Sequence, residues 1–321
     1  MYSQANTQAL IRTLTVSTAA RLHMGFFDLS GKNKFGSLGL AIDSPCTKII
    51  VEKSEKTLIN GKTSQNVADI TENIVNVFNL KQSFSLTIKQ TIPNHAGLGS
   101  GTQLALAIGT GLNELFDLQL STLQIAAATM RGKRSGIGIA AFQQGGFLVD
   151  AGKLSDAMPE IAMRHAFPED WRVILVQDNA HVGVHGALES QAFKSLNPAQ
   201  GSMCAMVFEH MLPAMQRADL LAFGAYMQDL QAYNGAYFAP IQGGHYASQD
   251  VERVLNWLRQ NGVACVGQSS WGPTGFAIVE TAKQAEAFQN KAQLEFKHKS
   301  NISFQIVRGK NTGASISVLE R

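Results

Sequence analysis

The stretch Pro93–Gly109, PNHAGLGSGTQLALAIG, places three glycines between a strand and a helix. The residues FSLTIKQTIP before the glycines alternate apolar and polar side chains and end at a proline, which is typical of a strand that runs into a loop. The residues LALAIGTGLNELF after them are apolar nearly all round, which predicts a buried helix. Gly97, Gly99 and Gly101 permit a sharp turn and let a ligand approach the backbone closely.

A glycine-rich loop that opens a helix is suited to binding phosphate. The first turn of the helix offers backbone N–H groups without intrahelical partners, together with the positive end of the helix dipole. Ser100 and Thr102 add hydroxyl donors. A tight loop without a ligand is the alternative, because short glycine motifs are weak evidence. The loop is not a Walker loop, since it lacks the Lys-Ser/Thr ending, and not a Rossmann start, since several strands precede it.

The regions around this loop predict an alternation of strands and helices. LTVSTAARLHMGFFDL reads as strand, loop and strand, and GSLGLAIDSP and TKIIVEK read as two further strands. NVADITENIVNVFNL has the apolar spacing of an amphipathic helix, and a long helical tract covers roughly Met203 to Leu230. We place a domain boundary near residue 175, which gives domains 1–175 and 176–321.

Composition narrows the class of protein. Charged residues make up 16% of the 321 residues, against about 25% in typical globular chains, which predicts a large core or a buried homodimer interface. The net charge of +3 is too small to argue for nucleic acid. No membrane span or signal peptide is expected. Cys46, Cys204 and Cys265 are far apart in sequence, which indicates free thiols in a reducing cytoplasm.

The segment PNHAGLGSGTQ resembles the second motif of the GHMP kinases, Pro-x-x-x-Gly-Leu-Gly-Ser-Ser, a loop that cradles nucleotide phosphates. Many of these kinases carry a Ser-Gly-x-Asp segment after that loop, whose Asp is the catalytic base or an orienting carboxylate. Here the matching residues are Ser135-Gly136-Ile137-Gly138, and a glycine cannot accept a proton. The neighbourhood is basic instead, with Arg131, Lys133 and Arg134, which favours an anionic substrate over base catalysis; a solvated basic loop is the alternative.

Five longer segments resemble a non-kinase branch of this superfamily, the β-ribofuranosylaminobenzene 5'-phosphate synthases. They are RLHMGFFDLSG, GSLGLAID, RSGIGIAAFQQGGFLVDAG, YNGAYFAPIQGGHY and GQSSWGPTGFAI, which keep their order along the chain. The resemblance implies an α+β fold, with a ribosomal-protein-S5-domain-2-like N-terminal domain and a ferredoxin-like C-terminal domain. It also implies a decarboxylating transfer from phosphoribosyl diphosphate to 4-aminobenzoate or 4-hydroxybenzoate, in the synthesis of tetrahydromethanopterin-type one-carbon carriers.

The resemblance directs several polar residues to the substrates. Arg21, His23 and Asp28 are predicted to be catalytic, by binding an anion, protonating the leaving group, or holding a metal or ribose hydroxyls. A structural role for His23 and a turn cap for Asp28 are the alternatives. The other predicted binding residues are Asn94, His95, Gly97, Gly99, Ser100, Gly101, Thr102, Arg131, Lys133, Arg134, Ser135, Gln242, Gly243, Gly244, Ser269, Ser270, Trp271, Gly272 and Thr274.

Three aromatic side chains and two histidines have both a functional and a simpler explanation. Tyr237, Phe238 and Trp271 are predicted to contact the aromatic substrate, with core packing as the alternative. His181 and His185 have a helical metal-ligand spacing but sit in a strand-like segment, so no zinc site is expected there. A Mg²⁺ ion on the diphosphate and no organic cofactor are expected. Two rival functions stay open: an ATP-dependent small-molecule kinase and a non-catalytic ligand-binding protein.

Overall fold

The computed structural model describes residues 12–29, 35–62, 65–132, 135–152, 161–181, 183, 202–270 and 272–320. These residues form two β-sheets with helices packed against them, which confirms the predicted α+β class. One apolar core joins the two sheets, because Leu38 and Phe147 of the first sheet pack in the same cluster as Leu175 and Phe276 of the second. The two sheets are therefore joined by a shared apolar core.

The first sheet has the order β11-β1-β2-β4-β3, with β5 added on β2 and β6 on β5. The sequence predicts two shorter strands in place of each of its two longest strands. Each of these is continuous in the structure, because local irregularities in the strand replace the predicted loops. Strand β1 has register shifts between Ala19 and Ala20 and between His23 and Gly25. The strand bounds are β1 Arg12–Asp28, β2 Phe35–Lys53, β3 Leu58–Gly61, β4 Phe84–Gln90, β5 Phe147–Asp150, β6 Ile161–His165 and β11 Ser315–Glu320.

Four helices cover the first sheet: α1 Gln65–Val77, α2 Ser100–Phe116, α3 Thr122–Ala128 and α4 Ile137–Gln143. Helix α2 is buried along nearly its whole length, as its apolar composition predicts. Helix α2 packs against α1 and α3 in an apolar cluster that includes Leu86, Leu106 and Ile125. The helix that follows the glycine-rich loop is thereby fixed against the sheet.

The second sheet is antiparallel with the order β10-β7-β9-β8, formed by β7 Arg172–Asp178, β8 Cys265–Gln268, β9 Thr274–Val279 and β10 Ile302–Val307. The predicted division at residue 175 falls inside β7, so the second sheet begins before it. The last strand, β11, returns to pair with β1 of the first sheet. Strands of the first sheet therefore lie on both sides of the second sheet along the chain.

The helical tract of the second half is interrupted rather than continuous. It comprises α5 Ser202–Ala205, a π-helical turn Met206–Met211, α6 Leu212–Gln216 and α7 Leu220–Gln242. Two further helices, α8 Gln249–Gln260 and α9 Ala282–Glu295, contribute Leu255 and Ala285 to an apolar cluster on the second sheet. In the part of the chain that the structure describes, none of the helices is both long and apolar enough to span a bilayer.

We expect Gly109→Ala to lower the free energy of unfolding by about 1–3 kcal/mol, the usual cost of overpacking a core. A Cβ atom at Gly109 would overlap Cγ2 of Ile125, where α2 meets α3. Because alanine is otherwise about 1 kcal/mol better than glycine inside a helix, a loss of stability in chemical denaturation reports this contact. Adding Ile125→Ala should remove the overlap, so strictly additive effects of the two substitutions would contradict the packing.

Candidate active site

The glycine-rich loop adopts the conformation that the phosphate hypothesis requires. Gly97 and Gly99 have φ values of 78° and 81°, in the left-handed region that favours glycine. Gly99 is the N-cap of α2 and supplies no side-chain acceptor to the first turn of the helix. The N–H groups of that turn and the positive end of the helix dipole therefore face the loop as an anion site.

Two arginines lie against this loop, in the space that its glycines leave. Arg21 Nη1 donates a 2.7 Å hydrogen bond to the carbonyl oxygen of Gly97. A Cβ atom at Gly99 would lie 3.1 Å from Arg21 Cγ, and one at Gly101 would lie 3.2 Å from Arg131 Nη1. Burial lowers the pKa of Arg131. The loop thus combines helix N–H groups with two guanidinium groups, a donor set that suits phosphate.

The connection between β8 and β9, called the late turn below, is joined to the glycine-rich loop by one hydroxyl group. Ser269 Oγ donates a 2.7 Å hydrogen bond to the carbonyl oxygen of Gly97 and accepts one of 3.0 Å from the backbone N–H of His23. The N–H of Ser270 donates in turn to the carbonyl oxygen of His23, at 2.9 Å. A Cβ atom at Gly272 would overlap the backbone of Ala96 and Gly97, so only glycine permits this approach.

A small cavity lies beside this junction. Phe26 and Phe238 form apolar walls, with their ring centroids 6.1 Å apart. Helix α7, which carries Tyr233–Gln242, supplies one side of the cavity and β1 supplies another. The described residues that line it are His23, Gly25, Phe26, Gln231, Asn234, Gly235, Phe238, Gln242, His245, Gln268 and Ser270.

His23 is buried in the wall of this cavity. This residue is 3% exposed, its ring centroid lies 4.3 Å from that of Phe26, and neither ring nitrogen has a hydrogen-bond partner among the described residues. Burial first, and then the charge of Arg21, lower its pKa from 6.5 to about 3. The ring is therefore neutral near pH 7, so it acts as a hydrogen-bonding group rather than a cation.

Asp28, the third predicted catalytic residue, is buried at the far end of β1 and lies outside the cavity lining. The nearby aromatic cluster contains Phe35 and Tyr237, with ring centroids 5.8 Å apart. Burial, then the neighbouring Tyr233, then the Asp28 carboxylate raise the pKa of Tyr237. The predicted role of Asp28 toward a metal or ribose stays a prediction.

A buried carboxylate that the sequence analysis missed organises the segment with the kinase-like motif. Asp150 Oδ2 accepts hydrogen bonds from Ser37 Oγ at 2.6 Å, Ser135 Oγ at 2.7 Å and the Gly136 N–H at 2.9 Å, and Oδ1 accepts from the Gly152 N–H at 2.9 Å. Burial raises the pKa of Asp150, against the effect of these hydrogen bonds. Ser135 is thus engaged in holding the loop, and an aspartate that ends a buried strand was the available sequence signal.

Gly138, which occupies the position of the kinase aspartate, lies where α4 meets the start of α2. Its carbonyl oxygen accepts a 2.7 Å hydrogen bond from Gln103 Nε2. A Cβ atom there would lie 3.1 Å from Thr102 Cγ2, so a larger side chain would press on the first turn of α2. The glycine allows close packing at this place and supplies no proton acceptor.

The remaining predicted residues divide between the loop, the cavity and supporting positions. Asn94 and His95 are exposed ahead of the loop, and the His95 carbonyl oxygen accepts from the Gly183 N–H at 3.3 Å. Gln242 lines the cavity, whereas Gly243 and Gly244 end α7. Thr274 is buried in β9 and supports the late turn through its backbone. Lys133, Arg134, Trp271 and His185 lie outside the described residues.

Comparison with known proteins places the chain in a family. A model described as GHMP kinases N terminal domain matches residues 65–146, and one described as GHMP kinases C terminal matches residues 211–298. A beta-ribofuranosylphenol 5'-phosphate synthase from Methanocaldococcus jannaschii is 32% identical, over 83% of this chain and 89% of its own. The chain belongs to this synthase family of the GHMP superfamily. A synthase of the same name from Archaeoglobus fulgidus is 28% identical, over 95% of this chain and 100% of its own.

The kinases of the superfamily match this synthase-family chain less extensively in sequence. A homoserine kinase from Methanococcus maripaludis is 27% identical over 59% of this chain and 66% of its own. Among solved structures, Lactococcus lactis galactokinase complexed with galactose aligns with a TM-score of 0.67 at 13% identity, covering 94% of this chain and 95% of its own. At that identity the alignment shows the shared fold alone.

We expect Arg131→Met to weaken the binding of inorganic diphosphate by about 10- to 100-fold, since a hydrogen bond to a charged group contributes about 1.5–3 kcal/mol. The reason is that the Arg131 guanidinium lies against the first turn of α2. Titration calorimetry measures the dissociation constant. Arg172→Met removes an arginine that is also half-buried but lies outside the site, and serves as the control; equal affinities of the two variants would contradict the assignment.

His23 gives a second prediction, for the pH dependence of stability. Between pH 6.5 and about 3 the folded protein binds fewer protons at His23 than the unfolded chain, so its stability falls as the pH falls through this window. The slope from this one group is at most about 1.4 kcal/mol per pH unit. His23→Leu should flatten the dependence in denaturation measured from pH 7 to pH 4. Parallel curves for the two proteins would show that His23 titrates normally.

Proposed function

We propose that the chain joins the anomeric carbon of phosphoribosyl diphosphate to the carboxylate-bearing ring carbon of 4-hydroxybenzoate or 4-aminobenzoate, releasing diphosphate and carbon dioxide. The observation that carries the proposal is the 32% identity to a beta-ribofuranosylphenol 5'-phosphate synthase across both halves of the chain. The product would feed tetrahydromethanopterin-type carrier synthesis. The relatives are named for a phenol product, which favours 4-hydroxybenzoate as the acceptor.

The charges of the site support a donor with two phosphorylated ends. The loop at Gly97–Gly101, Arg21 and Arg131 can hold a diphosphate in an orientation that favours its departure. None of the described residues that line the adjoining cavity is acidic, and two of its walls are aromatic. In this proposal the benzoate ring packs against these walls, beside the sugar.

Magnesium would be carried by the substrate in this proposal. Among the described residues no group of three histidine, cysteine or acidic side chains is placed to hold a metal ion. Mg²⁺ commonly keeps several waters and binds substrate phosphates through few protein ligands, so the hydroxyls of Ser100 and Thr102 beside a bound diphosphate fit it. When bound, the ion would neutralise charge on the leaving diphosphate.

The kinase alternative lacks a suitably placed base in the described part of the site. Gly138 stands at the kinase aspartate position, and the nearby Asp150 carboxylate already accepts four hydrogen bonds. We further propose a cytoplasmic homodimer. Its support is the low charged share of 16% and three free cysteines, Cys46, Cys204 and Cys265.

The deciding experiment incubates the purified protein with phosphoribosyl diphosphate, Mg²⁺ and carboxyl-labelled 4-hydroxybenzoate or 4-aminobenzoate. We expect diphosphate and labelled carbon dioxide to be released in equal amounts, with one acceptor preferred. A parallel incubation with ATP and small alcohols, including homoserine, tests the kinase. Consumption of ATP without release of carbon dioxide would overturn the proposal, and ligand binding without either turnover would indicate a binding protein.

A further inference from the structure

Two of the amide side chains in the cavity wall are fully engaged in holding strand β1. Asn234 accepts from the N–H of Phe26 and donates to its carbonyl oxygen, both at 2.9 Å, and also donates to Leu230 O. Gln231 donates to Met24 O at 2.6 Å and accepts from the N–H of Gln268 at 2.8 Å. Neither amide needs a ligand to complete its hydrogen bonds.

The other two amides are engaged in the same way at the late turn. Gln268 accepts from the Ala247 N–H at 2.6 Å and donates to Ser270 O at 2.7 Å and to Gln242 Oε1 at 3.2 Å. Gln242 donates to His245 O at 2.8 Å. The side chain of His245 is exposed, and Ser270 is half-buried. These residues shape the cavity, but the buried groups among them are already paired.

His23 differs from all of them, because its ring is buried in the cavity wall and neither of its nitrogens has a partner in the part of the chain that the structure describes. A buried polar group without a hydrogen bond destabilises the fold. The backbone of His23 is fixed at both sides by Ser269 and Ser270, so the ring has little freedom to turn toward solvent. Its position points to a ligand group that completes it.

We propose that His23 accepts a hydrogen bond from the para hydroxyl or amino group of the benzoate, and takes up its proton while the new carbon–carbon bond forms. The inference rests on the proposed function. The ring carbon that attacks must face the sugar diphosphate held at the glycine loop, so the para substituent at the opposite end of the ring lies inside the cavity. His23 then sets which acceptors react.

With 4-hydroxybenzoate, the proposed reaction has two stages. The bond between the ring carbon and the anomeric carbon forms while the bond from the anomeric carbon to diphosphate oxygen breaks. The positive charge on the ring is delocalised onto the para oxygen, whose proton passes to His23 and leaves a neutral dienone. The bond to the carboxylate then breaks, its electron pair restores the aromatic ring, carbon dioxide leaves, and His23 returns the proton to the oxygen. An amino group passes through the corresponding imine.

The environment of His23 confines this transfer to the reacting state. Burial lowers the pKa of the ring, so it does not deprotonate an ordinary phenol, whose pKa is about 10. A ring that bears the new bond and a positive charge is a far stronger acid, and it can protonate even this weak base. The hydrogen bond of the ground state thus becomes a proton transfer only as the bond forms, which stabilises the transition state selectively.

The first test measures binding, with 4-hydroxybenzoate and its near-isosteric analogue 4-fluorobenzoate in the presence of magnesium diphosphate. We expect the wild type to bind the hydroxy compound about 10-fold more tightly, the size of one good hydrogen bond. His23→Leu should abolish this preference, whereas His23→Gln, which still offers an acceptor, should keep it. A preference that persists in His23→Leu, or is absent from the wild type, would overturn the proposal.

His165→Leu is the matched control. His165 lies in β6 outside the cavity lining, its Nε2 also lacks a partner, and burial followed by Arg164 also lowers its pKa. Its replacement should leave the preference between the two benzoates unchanged. Thermal unfolding of all variants confirms that they are folded, and His23→Leu should be at least as stable as the wild type because it removes an unpaired polar group.

The second test measures turnover. We expect His23→Gln to lower kcat by about 10²- to 10⁴-fold, the usual contribution of a positioned base, with an unchanged KM for phosphoribosyl diphosphate. An undiminished kcat in His23→Gln would overturn the proton transfer. The two hypotheses fail in different ways: an inactive wild type refutes the proposed synthase activity, whereas an active wild type with active His23 variants refutes only the role of His23.

Discussion

The site depends on one hydroxyl group, Ser269 Oγ, which joins three segments that are far apart in sequence. It donates to Gly97 in the glycine loop and accepts from His23 in β1, at 2.7 Å and 3.0 Å. Because Ser269 is fully buried, these hydrogen bonds form away from competing water. The close approach also requires Gly97 and Gly272, where a Cβ atom would overlap backbone of the opposite segment. Ser269 thereby joins the glycine loop to His23, which lines the cavity.

The cavity itself follows from an irregularity in β1. The register shift between His23 and Gly25 interrupts the regular pairing with β2, and backbone groups of Met24 and Phe26 turn toward α7. Gln231 and Asn234 supply the hydrogen bonds that a neighbouring strand would otherwise supply. These amide hydrogen bonds hold α7 against this part of β1 beside the apolar contacts of Leu230 and Phe238, and a small cavity remains there.

The sequence predicted the elements whose signals are local. The loop at Gly97–Gly101, the buried α2 and the turn at Ser269–Gly272 each carry a short pattern with one physical meaning. The strands β3, β6 and β11 and the helix α4 escaped prediction, since their formation depends on partners elsewhere in the chain. The hydrogen bonds of Asp150 and the pairing of the four cavity amides escaped it too, because a glutamine or aspartate looks the same in sequence whether it meets backbone or ligand.

The amides of the cavity wall are paired, whereas His23 is not, and this difference suggests separate roles for the loop and the cavity. In the proposed reaction, helix N–H groups and arginines at the loop meet anions whose charge is present before reaction begins, so their main effect is binding and orientation. In the cavity, the neutral imidazole of His23 gives a resting benzoate one ordinary hydrogen bond, and this interaction becomes much stronger once positive charge develops on the ring. Hydrocarbon in place of His23 would favour the folded state but would give nothing to that charge. A fold shared with kinases can thus serve a different reaction by keeping the anion loop and changing what faces the acceptor.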